Sequence, residues 1–139
     1  WTTATNWEGI LDKPYSHHHM THDVPRYLNQ LLKLDHFHVL AFARLVERMD
    51  AIEEADGTTL LDNTIFTLGA GMGDGSTHQY NELPIVVAGG GTAGFKHDQH
   101  VQCSVGTPLA NLWLTYLHAL GVKRKNYADS TGVISHLQA

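Results

Sequence analysis

Between Asp23 and about Ala51 the apolar residues recur at helical spacing. Leu28, Leu31, Leu32, Val39, Phe42, Val46 and Met49 trace one stripe, interrupted by Asp35, and Leu34, Phe37, Leu40 and Leu45 widen it. Asp23 and Pro25 suit a helix start, and Asp56-Gly57 suits its stop. Two short continuous apolar runs follow, Thr64-Ile65-Phe66-Thr67-Leu68-Gly69-Ala70 and Leu83-Pro84-Ile85-Val86-Val87-Ala88. Their β-branched content predicts strands, and their lack of alternation predicts a sheet covered on both faces. Pro84 belongs at a strand start. Thr107-Pro108 opens a second helix, with Leu109, Leu112, Trp113, Tyr116, Leu117 and Leu120 on its apolar face and Gly121 at its end.

Residues 1–22 read as an irregular lead-in from which Trp1 and Trp7 pack onto something. Residues 92–106 read as loop with a hairpin near His97 to Val101, and the tail predicts one short turn within residues 130–137. The order helix, strand, strand, helix over residues 23–139 gives an α/β class. Two strands alone do not make a stable sheet. The pattern therefore predicts either one domain over residues 1–139 or the C-terminal segment of a larger α/β domain, its sheet completed by a segment outside this chain. The start at Trp1, with neither an initiator methionine nor a signal peptide, fits a processed product or a part of a longer protein.

Composition narrows the function classes. The net charge is −5 with neutral histidines, and Lys123-Arg124-Lys125 is an isolated basic run that reads as a solvated helix end. Without a dense Lys/Arg stripe a nucleic-acid partner is not expected. No apolar stretch approaches the roughly 20 residues of a bilayer span. The single cysteine, Cys103, excludes an internal disulfide and reads as a buried thiol.

Eleven histidines change the picture, because four of them fall within six residues: His17, His18, His19 and His22, followed by Asp23. Imidazole is the commonest metal ligand among side chains. If residues 18–22 are helical, His18 and His22 share a face and can reach one ion, with Asp23 beside them. The alternative is a histidine-rich loop bonded to backbone. A second polar knot, Gly71-Met72-Gly73-Asp74-Gly75-Ser76-Thr77-His78, leaves the carboxyl end of the first strand, where open α/β sheets place their sites. Asp74 and His78 are candidate metal ligands or an acid–base pair, and Gly73, Gly75 and Thr77 are candidate substrate contacts. The competing reading is a turn in which Asp74 caps local amides. Gly89-Gly90-Gly91 reads as a tight turn, and His118 as a favourable group at a helix C-terminus. No Gly-x-Ser-x-Gly elbow and no phosphate-binding P-loop is present.

The ordered set His18-His19-Met20-Thr21-His22-Asp23, Asp56-Gly57-Thr58-Thr59-Leu60-Leu61-Asp62-Asn63-Thr64, Gly71-Met72-Gly73-Asp74-Gly75 with His78, Leu83 to Gly91, Thr107-Pro108-Leu109-Ala110-Asn111-Leu112, Gly121-Val122 and Asp129-Ser130-Thr131-Gly132 resembles a bacterial family of exported proteins named for its His-x-x-Ser-His-His motif. The likeness covers roughly residues 15–137. Thr21 stands where the motif has serine, and Asp23 where it has its last histidine. That family looks related to the alkaline-phosphatase and sulfatase superfamily.

The resemblance implies a sheet between helices and a periplasmic or extracellular protein. It also implies a divalent metal (zinc, calcium or magnesium) near His18, His22, Asp23, Asp74 and His78. It further implies metal-dependent hydrolysis of phosphoric or sulfuric esters, with the nucleophile upstream of Trp1. A non-catalytic accessory subunit of a larger exported complex, on a degenerate hydrolase fold, is the alternative, and a metal-binding sensor module a third. The partners implied are other protein chains or the missing N-terminal segment.

Overall fold

A computed structural model describes residues 7–138, so the expectation for Trp1 lies outside the described residues. The element order is α1 (His17–Thr21), α2 (Val24–Asp50), β1 (Ile65–Gly69), β2 (Ile85–Gly89) and α3 (Ala110–Ala119). Short 3₁₀ turns lie at Gly91–Ala93 and Ser135–Leu137. The class is mixed α/β. β1 and β2 form a two-stranded sheet. The pairing is antiparallel: Ala70 N–H donates to Pro84 O at one end, while the Cβ of any residue replacing Gly89 would meet Thr64 O at the other. Both strands are part-buried rather than covered on both faces, and Val86 is 51% exposed.

The chain divides into two compact units, Trp1–Leu45 with Leu68–Val86, and Val46–Thr67 with Val87–Ala139. In the first, the buried side chains are Met20, Leu31 and Leu34, with Trp7, Ile10, Leu11, Tyr15 and Tyr27 packed around them. Met20 is what converts part of the expected lead-in into a helix. Five residues are too few to be helical on propensity, but Ser16 Oγ accepts from His19 N–H at the start and the fully buried Met20 pins the turn to the core. α2 begins one residue after Asp23, with Pro25 in its first turn where a missing N–H costs nothing.

In the second unit, α3 carries the core. Leu114 and Thr115 are fully or almost fully buried, and Ala110, Asn111 and Leu112 nearly so. Its buried polar groups are paired, as burial demands. Thr115 Oγ1 donates to Asn111 O (2.7 Å) and accepts from Ile134 N–H (2.8 Å). Asn111 Oδ1 accepts from Thr131 N–H (2.8 Å) and its Nδ2 donates to Thr131 Oγ1 (3.1 Å). These bonds staple the tail to the helix. Tyr116 hydroxyl and Thr67 hydroxyl lie 2.8 Å apart, and burial raises the Tyr116 pKa against the smaller opposing pull of that bond.

The expected hairpin near His97 to Val101 does not form. Phe95 instead bridges to Gln138, a pairing with no local sequence signal. Cys103 is exposed, not buried, because residues 101–104 carry no regular structure.

Candidate metal centre

The first unit brings His18, His22 and His78 together. One ring nitrogen of each lies within 4.8 Å of the others, and all three side chains are exposed. Ring centroids stand 4.7 Å apart for His18–His22, 5.0 Å for His22–His78 and 5.9 Å for His18–His78. His18 lies within α1 and His22 is its C-cap, so the four-residue spacing places both rings on one side of a single turn. The other two clustered histidines do not join them. His19 stacks edge-on to Tyr27 at 5.8 Å, and His17 is not in the group.

His78 arrives from the loop between the strands, and the loop's own bonds explain how. The Asp74 carboxylate accepts from Ser76 N–H and Thr77 Oγ1–H, both at 2.8 Å. Gln79 N–H donates to Asp74 O and Gly73 N–H to Gln79 O. This closed turn carries His78 in a left-handed conformation, φ 56°. The Thr77 hydroxyl, then the Ser76 amide, hold the Asp74 carboxyl below the usual carboxylate range. Asp74 is thus engaged in capping its own turn and does not fall in the three-imidazole group; Asp23 does not fall in it either.

The candidate substrate contacts take their places in the same turn. Any Cβ at Gly73 would lie 2.1 Å from Asn81 O, so the loop closes only around glycine there. Gly75 packs against Thr21, and the Thr77 hydroxyl donates to Asp74.

A tetrahedral zinc with Zn–N bonds of about 2.0–2.1 Å sets its nitrogens about 3.3 Å apart. In this structure the three nitrogens lie within 4.8 Å of one another, wider than that spacing. The donor set fits a divalent ion of the imidazole-preferring kind.

Other histidines show the contrast. His97 Nε2 lies 2.7 Å from Gly89 O, and His118 Nε2 lies 2.6 Å from Arg124 O beyond the end of α3. His97 lines a concavity of about 370 Å³ in the second unit with Leu61, Asp62, Gly89 and Asp98. Sequence reasoning named every member of the trio, but only the His18–His22 spacing was a local signal. Among the described residues no helix is long and apolar enough to cross a membrane. Comparison with family models, with curated proteins and with solved structures finds no match to this chain.

Proposed function

We propose that this chain holds a divalent ion, zinc by preference, on His18, His22 and His78, within an exported protein of the alkaline-phosphatase and sulfatase-like kind that hydrolyses phosphoric or sulfuric esters. The observation supporting it is the convergence of three imidazoles from two segments more than fifty residues apart in the chain. Calcium and magnesium take oxygen donors, whereas zinc takes imidazole. Three protein ligands would match the donor count of catalytic rather than structural zinc. An ion held there would supply Lewis-acid polarisation of an ester oxygen.

The chain's own groups orient and admit. The trio is exposed, so an anionic ester reaches it from solvent. Thr21 Oγ1–H donates to His18 O at 2.8 Å, which makes that hydroxyl a brace of α1 rather than an activated nucleophile.

The accessory-subunit reading rests on a different observation. Val24, Leu28, Leu32 and Val39 line one side of α2 and are 37, 49, 55 and 52% exposed. An exposed apolar stripe, interrupted by Asp35, suits coverage by another chain of an exported assembly.

Calorimetric titration of the full chain with zinc, followed by assay of the loaded protein on aryl phosphate and aryl sulfate, tests the proposal. One zinc per chain with ester turnover supports the hydrolase. One zinc without turnover supports the accessory role. Absence of stoichiometric zinc overturns the metal centre.

A further inference from the structure

Thr21 and Gly75 meet beside the trio, and nothing in the ligand set requires them to. A Cβ built on Gly75 would lie 3.2 Å from Thr21 Cβ, 3.4 Å from Cγ2 and 3.5 Å from Oγ1. Gly75 does not adopt a left-handed φ, so its backbone accepts an ordinary residue; the restriction is this contact. Thr21 is poorly placed to yield. Its hydroxyl is tied to His18 O at 2.8 Å, and its neighbour Met20 is fully buried in the core of the unit. The residues on either side of the contact carry the chemistry: His22 follows Thr21, and His78 lies three positions beyond Gly75 in a turn closed by Asp74.

We infer that Thr21 and Gly75 are positioning residues, a glycine-on-threonine lock that sets how closely the His78 loop approaches the His18–His22 turn and so fixes the reach of the three nitrogens. This deepens the metal-centre reading and rests on it. Outer groups that orient metal ligands typically control affinity by about 10–100-fold. A methyl wedged at Gly75 displaces the loop by a few tenths of an ångström and opens the trio. Gly71 is the internal control, because its added Cβ meets nothing within 4 Å and its φ is also ordinary.

The experiment uses the full chain with zinc in competition titrations and with cobalt(II) as a spectroscopic reporter. The lock predicts that Gly75→Ala binds zinc about 10-fold or more weakly and loses intensity in the tetrahedral cobalt bands. Gly71→Ala keeps wild-type affinity and spectrum, and both zinc-free variants unfold at similar temperatures. Should Gly75→Ala not fold, Thr21→Val serves in its place: it keeps the shape, loses the bond to His18 O, and is expected to weaken zinc and alter the cobalt spectrum.

Wild-type affinity and spectrum in Gly75→Ala, or in Thr21→Val where it stands in, overturn the lock. Equal losses in Gly75→Ala and Gly71→Ala overturn it as well. A wild-type chain that takes up no zinc overturns the underlying centre and the lock with it, and is distinguished by appearing before any substitution is made.

Discussion

Two glycine-rich segments in this molecule each carry a histidine and arrive at different ends. The turn after β1 holds Asp74 and His78; the segment after β2 holds Gly90, Gly91 and His97, and His97 shares a concavity with Asp62, which precedes β1. Both aspartates are used locally. Asp74 binds Ser76 and Thr77, and Asp62 binds the Thr59 amide and hydroxyl at 2.9 Å each. The histidines diverge. His97 Nε2 sits on the Gly89 carbonyl, whereas His78 faces two other imidazoles. An imidazole bonded to a carbonyl holds a loop together. Three imidazoles gathered together instead turn their nitrogens toward one another, where one cation could be shared. Glycine, aspartate and histidine in a turn therefore say little about chemistry until the nitrogen's partner is known.

The largest expected effect separates these histidines. His22→Ala, His18→Ala or His78→Ala should each weaken zinc binding by more than about 100-fold, since loss of a direct ligand exceeds the 10–100-fold typical of outer groups. His97→Ala and His118→Ala should leave zinc affinity within a factor of two or so while lowering thermal stability by about 0.5–1.5 kcal/mol each, the usual net worth of one hydrogen bond. Equal zinc losses across both sets, measured by competition with a chromogenic chelator, would erase the distinction.

The two units also differ in how they are held. Leu34 in the first and Leu114 in the second are almost completely buried. Leu→Ala at either should cost about 2–5 kcal/mol in urea unfolding. If the trio is a site set on a packed turn, Leu34→Ala should also weaken zinc, and Leu114→Ala should not. The second unit adds a buried polar staple. Thr115→Val removes the hydroxyl that bonds Asn111 O and Ile134 N–H, and should cost about 1 kcal/mol or somewhat more by leaving the part-buried Ile134 donor unpaired. Retention of wild-type stability would show that the tail is held by something else.

Much of this was legible in the chain. The 3.6-residue period and Pro25 located α2 to within a few residues, and Thr107-Pro108 and Gly121 bracketed α3, which ends at Ala119 with Gly121 just beyond its C-cap at φ 84°. The strands were legible from their β-branched runs, but their antiparallel pairing was not, because pairing is decided by the length and closure of the intervening turn. α1 was hidden because a five-residue helix has no period; it exists through a cap and one buried methionine. The Asp-Gly-Ser-Thr string announced a carboxylate-capped turn. That His78 reaches residues 18–22 has no local signal in the chain, since the two segments lie more than fifty residues apart.

The smallest effect concerns acid. The Thr59 amide, then its hydroxyl, hold the Asp62 carboxyl below the usual range, and the Thr58 hydroxyl, then its amide, do the same for Asp56. A depressed folded-state value means that the charged form stabilises the native state. That contribution is complete above the ordinary carboxylate range and is lost as pH falls below about 4 through the lowered values. Asp62→Asn should flatten the acid limb of a plot of urea midpoint against pH without shifting the midpoint's trend above pH 5. An unchanged acid limb would remove Asp62 from the account.

The central claim is met most directly by X-ray absorption at the zinc edge of the full chain loaded with one equivalent of zinc. The account predicts a first shell of nitrogen and oxygen at about 2.0–2.1 Å with outer-shell scattering that counts three imidazoles, falling to two in His78→Ala. A shell dominated by carboxylate oxygens, or an imidazole count that does not change when His78 is removed, would contradict it.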